Sequence, residues 1–129
     1  IVIDGTWDAA VVEEPLTIKV EAGMVTKIKG EGSDDVKAMF VEASRKLKPQ
    51  QQSNVWTVAE FGFGMNPRAR LVGNVLEDEK VQGTCYFAFG DNTSLGGHAS
   101  CGIHVTGVLK QPTVVIGVVE LLDEGDIRI

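Results

Sequence analysis

The 129-residue chain has a formal net charge of −6, with 43% hydrophobic and 23% charged residues, a balance that suits one globular domain with a core of its own. No basic cluster runs along it, which argues against nucleic acid and an anionic membrane as partners. No apolar run approaches the roughly 18 residues of a membrane span, and the two cysteines, Cys85 and Cys101, read as buried free thiols in a reducing cytoplasm.

The start, Ile1-Val-Ile-Asp4, has no initiator Met, basic region or apolar stretch of a signal peptide. It is strand-like, as expected of a piece of a longer chain. Asp4-Gly5 marks a turn, and Thr6 to Pro15 has no readable period. Leu16–Val20 and Met24–Lys29 alternate with period two around Glu21-Ala-Gly23, predicting a β-hairpin with a three-residue loop. Ser33 is the expected N-cap of a helix with Asp34 and Asp35 in its first turn. Val36, Met39, Phe40, Ala43 and Leu47 fall on one face, and Pro49 stops the run. The spacing predicts one main helix near residues 33–48, lying over a sheet.

Gln50–Asn54 is a polar connector. Val55–Ala59 is expected as a strand delivering Glu60 at its end, before a Gly-rich bend from Phe61 to Pro67. A short strand over Ala69–Asn74, a helical turn over Leu76–Lys80 and a strand over Val81–Gly90 follow. Asp91–Ala99 reads as a loop, and Cys101–Val108 as a strand. Thr113–Ile116, Val118–Leu121 and Ile127–Ile129 close the chain as strands. One helix among many short strands predicts an α+β fold, mostly antiparallel β-sheet, barrel- or sandwich-like, in a single domain over residues 1–129.

The chemistry-bearing residues concentrate between Glu60 and His104. Glu60, Glu77, Asp78, Glu79, Asp91 and both histidines lie there. His98, Cys101 and His104 recur every three residues. On a strand, however, positions 101 and 104 point to opposite faces, so an exposed His98 and a buried Cys101 are preferred to a zinc triad. An acid directly after an apolar strand needs a partner, solvent or a metal. For Glu60, an ion pair with Arg68 or Arg70 and metal ligation weigh equally. By spacing alone Glu77-Asp-Glu79 is a solvated turn, and so is Asp91-Asn92. Carboxylates with imidazole suit Zn, Mn, Co or Fe. No GxSxG or HExxH occurs, and Phe61-Gly-Phe-Gly lacks the ending of a phosphate loop.

Several ordered motifs carry a family resemblance. They are Glu60-Phe-Gly-Phe-Gly-Met-Asn-Pro-Arg-Ala-Arg-Leu71, Gly73-Asn-Val-Leu-Glu-Asp-Glu-Lys80, Phe87-Ala-Phe-Gly-Asp-Asn-Thr-Ser-Leu-Gly-Gly97, Ile103-His104 and Pro112-Thr-Val114. The chain resembles the C-terminal region of the aminopeptidase T/aminopeptidase S (thermophilic leucyl aminopeptidase) metallopeptidase family, closest to its 2,5-dihydroxypyridine dioxygenase-like branch. The resemblance implies the metal-site domain of a longer, homodimeric, cytoplasmic protein acting on a peptide or small-molecule substrate. It implies a divalent metal (Zn, Co, Mn or Fe) held by Glu60, Glu79 and His104, with Glu60 or Glu79 as general base. Two positions depart from the pattern: Tyr86 replaces a His, and Thr106 replaces the Asp of an H-x-D pair.

Three functions follow from that resemblance. The first is a metal-dependent, aminopeptidase-like hydrolase that releases the N-terminal residue of a peptide, with its metal site altered at two positions. The second is a non-catalytic dimerisation or binding domain without metal. The third, implied by the closest branch, is Fe(II)-dependent ring cleavage of a dihydroxypyridine.

Overall fold

The computed structural model describes residues 1–129. The stretch without a readable period forms strands too short to show one. These are β2 (Thr6–Trp7) and β3 (Ala10–Val11), which follow β1 (Val2–Ile3) in the strand-like start. The predicted hairpin forms as β4 (Leu16–Glu21) and β5 (Met24–Lys29). Its connection is two residues, not three. Ala22 and Gly23 both take positive φ, 49° and 77°, which matches the twist of the flanking strands.

The main helix, α1, spans Ser33–Arg45, with Gly32 rather than Ser33 at the cap. It ends short of residue 48, and Pro49 opens a 3-10 helix, Pro49–Trp56, in place of the polar connector. Proline fits the first position of such a turn because its missing N–H would have no partner there. Phe40 of α1 is fully buried and meets Trp7, Trp56 and Phe89 with ring centroids 6.3, 4.9 and 6.5 Å away. Burial of a ring of this size is worth about 2–3 kcal/mol.

The remaining elements are β6 (Val58–Phe63), α2 (Val75–Asp78), β7 (Cys85–Gly90), β8 (His104–Leu109), β9 (Val114–Ile116), β10 (Val119–Asp123) and β11 (Asp126–Ile127). They complete three sheets, ordered β1-β4-β5, β3-β2-β8-β7-β6 and β11-β10-β9. The strand pairings are antiparallel. The α+β, mostly antiparallel expectation holds, but the sheets do not close into a barrel. No helix is long and apolar enough to cross a membrane.

Further predicted elements change, and β7 starts at Cys85 rather than Val81. Strand β6 starts three residues later than expected and runs into the supposed Gly-rich bend as far as Phe63, because Phe61, Gly62 and Phe63 pair with Phe87, Tyr86 and Cys85 of β7. The predicted strand at Ala69–Asn74 does not form. Its N–H groups are taken by carboxylates instead: Arg70 donates to Glu77, and Val72 and Gly73 donate to Asp78. Strand β8 starts at His104 rather than Cys101, since the N–H groups of Cys101 and Gly102 go to the Asp91 carboxylate and not to a strand.

Candidate functional site

The site is made by a β-bulge. Val58 pairs with Phe89 but Glu60 pairs with Ala88, so Ala59 is an extra residue in β6. In an unbroken strand Val58 and Glu60 would share a face. The bulge turns Glu60 onto the opposite face, together with Ala88 and its partner on β8, Thr106. Tyr86 and His104 lie two residues from Ala88 and Thr106 along β7 and β8, so they emerge on that same face.

Three side chains meet there. The Tyr86 hydroxyl donates to Oε1 of Glu60 at 2.9 Å. His104 Nε2 lies 3.4 Å from the other oxygen, Oε2. His104 Nδ1 contacts the Asp91 main-chain carbonyl at 2.7 Å. A carbonyl only accepts, so Nδ1 carries the proton and Nε2 is the nitrogen turned to Glu60. Gly62 makes room for this arrangement. A Cβ at that position would stand 2.4–2.6 Å from atoms of the Tyr86 ring.

Burial pushes the Tyr86 phenol up to about 12, helped by its hydrogen bond to Glu60 and by the negative charges of Glu60 and Glu79. It is therefore a neutral donor at ordinary pH. Glu79 acts on it through charge while its own carboxylate pairs with Lys80. Thr106 is buried on the site face. Glu60 has neither Arg68 nor Arg70 as its partner. His98 is exposed and Cys101 buried, and no group of three or more His, Cys, Asp or Glu side chains is gathered for a metal.

Two carboxylates matter more than their spacing suggested. Asp78 is 1% exposed and accepts from the Thr6 hydroxyl and the N–H groups of Val72 and Gly73. It ties β2 to the loop before α2. Asp91 accepts from both the hydroxyl and N–H of Thr93 and from the N–H groups of Cys101 and Gly102. Led by the Thr93 hydroxyl, these donors hold its carboxyl well below the usual range. The Asp-x-Thr spacing at 91–93 was a readable signal of such a turn. Nothing comparable distinguished Asp78 from its acidic neighbours.

Residues 6–129 match the family NicX, 2,5-dihydroxypyridine 5,6-dioxygenase. The chain belongs to the NicX family. Its fold is also that of the 2,5-dihydroxypyridine dioxygenase from Pseudomonas putida KT2440, with a TM-score of 0.77 at 20% identity. That match covers 98% of this chain and 39% of the other, so the chain spans well under half the length of the enzyme. No curated protein matches the sequence.

The NicX match overturns the aminopeptidase assignment, and with it the hydrolase and metallopeptidase readings. The motifs behind that assignment are largely scaffold. Phe61-Gly-Phe63 completes a strand, and Asp91-Asn92 closes a loop. Such features are compatible with either chemistry and cannot select peptide hydrolysis.

The NicX family points to a metal cofactor of the iron type. The donor set fits such an ion at two positions, the His104 imidazole and the Glu60 carboxylate. The imidazole's Nδ1–H bond to a carbonyl is the usual support for a nitrogen that ligates. The set does not reach the two-His, one-carboxylate triad of non-haem iron oxygenases. Tyr86 contributes a neutral phenol and Thr106 a hydroxyl where further strong donors would stand.

Proposed function

We propose that this chain forms the ring-binding, metal-facing sheet of a NicX-type dioxygenase. The substrate class is a hydroxylated pyridine, and the reaction is cleavage of its ring with dioxygen. The convergence of Glu60, Tyr86 and His104 on one sheet face supports this reading, in a chain that belongs to the NicX family. His104 and Glu60 are the residues that would hold iron. Iron, when bound, supplies dioxygen activation.

The chain's own groups have defined tasks in this proposal. Tyr86 keeps one Glu60 oxygen oriented and offers a neutral phenol to a ring substituent. Where it is not committed to iron, Glu60 is the candidate base for the proton of a substrate hydroxyl, whose loss raises the electron density of the ring. Glu79 adds negative charge behind Tyr86 and is the weaker candidate for the base. The substrate is a small molecule. We further propose a homodimer in the cytoplasm. Exposed Val115, Ile116, Val118 and Val119 around the β9–β10 turn supply apolar surface for pairing, and two free buried thiols suit a reducing compartment.

A second reading, a non-catalytic binding domain, is favoured by Tyr86 and Thr106 at the positions where the resemblance expected His and Asp. Oxygen uptake with Fe(II) and 2,5-dihydroxypyridine separates the two. Substrate-dependent uptake lost in Glu60→Ala and His104→Ala supports the dioxygenase. Binding of the dihydroxypyridine without uptake supports the second reading.

A further inference from the structure

We propose that Asp91 is a positioning residue for His104, fixing which imidazole nitrogen faces the site and where it points. The inference rests on the reading of Glu60 and His104 as the site. The Asp91 carboxylate does not touch the imidazole. It gathers Thr93 on one side and the backbone of Cys101 and Gly102 on the other, which brings the two ends of the 91–103 loop together. The Asp91 N–H donates to the Ile103 carbonyl at 2.6 Å, and its own carbonyl holds His104 Nδ1 at 2.7 Å.

Position 91 is thereby fixed from three directions, and the fixed group is the acceptor that His104 uses. The neighbouring Asn92 reinforces the closure, accepting from the Ala99 N–H at 2.9 Å through its side chain and donating its own N–H to the Ala99 carbonyl at 3.0 Å. The strands must also approach closely here. A Cβ on Gly90, whose φ is +105°, would stand 2.3 Å from the Ile103 carbonyl oxygen. Removing the Asp91 carboxylate leaves a carbonyl at position 91 but releases the loop that aims it. The imidazole is then free either to carry its proton on Nε2, where the Glu60 carboxylate would accept it, or to turn away from Glu60.

The test is nitrogen-15 NMR of the histidine side chains at mildly alkaline pH, where free imidazole is neutral. His98, the other histidine of the chain, lies within the 91–103 loop and reports whether that loop has been released. In the unsubstituted protein His104 is expected as the Nδ1–H form. In Asp91→Ala that form ceases to dominate, and the His98 signals move with the released loop. Asp91→Asn, which keeps the side-chain shape, shifts His104 in the same direction to a smaller extent. An unchanged His104 tautomer in both variants overturns the proposal.

Fe(II) binding on the same samples separates this inference from the site reading. Misplacing the carbonyl that holds the imidazole is expected to weaken metal binding, at most by the roughly 10–100-fold that loss of such a partner costs. If the unsubstituted protein binds no iron while the tautomer still responds to Asp91, the metal reading fails and the positioning role stands.

Discussion

The Tyr86 hydroxyl lies 2.9 Å from Oε1 of Glu60, reaching from β7 to β6 across Gly62, the residue directly opposite Tyr86. Glycine at that position is what the ring needs. Gly62→Ala is expected to push the ring off Glu60, since the new Cβ would lie 2.4 Å from the phenol oxygen. Tyrosine fluorescence and Fe(II) affinity should both change. A Gly62→Ala protein with unaltered Tyr86 signals would show that the ring is not held there.

Tyr86→Phe removes the hydrogen bond and keeps the ring. The expected loss of stability is about 1 kcal/mol, measured by urea unfolding, because the pair is only part-buried. Tyr86 is the only tyrosine of the chain, so ultraviolet titration reports it alone. Phenolate should form near pH 12 and not near 10. The unfolded phenol releases its proton first, so the folded state binds more protons between those values. Stability therefore falls as pH rises from 10 to about 12 and is unaffected by this group below 10.

Asp78 is buried and accepts three hydrogen bonds. Asp78→Ala leaves the Thr6 hydroxyl and two N–H groups without that acceptor. The expected cost is about 3 kcal/mol, read from the denaturation midpoint, with Asp78→Asn costing less. A change below about 0.5 kcal/mol would mean that water replaces the carboxylate at little cost.

The Cys85 thiol is fully buried and pushed up to about 12, chiefly by burial and then by the Asp4 charge. Because the thiolate is the reactive form, a thiol reagent at mildly alkaline pH should label Cys85 only after denaturation. Rapid labelling of Cys85 in the native protein would contradict its place in the core.

The hairpin, the helix and the antiparallel class were legible because each rests on local period and capping. Leu16, Ile18 and Ile28 point inward as alternation requires, and Val36 and Phe40 do so at helical spacing. The site was legible by residue type at Glu60 and His104 but not by geometry. The bulge at Ala59 has no marker in sequence, yet it alone puts Glu60 on the face of His104. Asp78 could not be separated from solvated acids and Asp91 read only as a turn, because the N–H groups of Val72, Gly73, Cys101 and Gly102 lie in segments that the pattern assigns to strands. Tyr86 looked like the loss of a ligand, and in the fold it is the hydrogen-bond partner of Glu60.

The positions of Tyr86 and Thr106 allow a gain-of-function comparison. Tyr86→His combined with Thr106→Asp adds an imidazole and a carboxylate to the face already holding Glu60 and His104. The expected result is Fe(II) binding at least tenfold tighter than in the unsubstituted protein, by anaerobic titration. No gain would show that these two positions do not face the same ion.

In the proposed function, Glu60 and His104 together form the metal-facing edge of a dihydroxypyridine-cleaving site. The most direct measurement of this is an anaerobic Fe(II) titration followed by oxygen uptake on 2,5-dihydroxypyridine, for the unsubstituted protein and for His104→Ala. Stoichiometric iron and substrate-dependent uptake are expected in the first, and loss of both in the second with the fold intact. Equal iron binding and uptake in the two proteins, or neither in the unsubstituted protein, would contradict it.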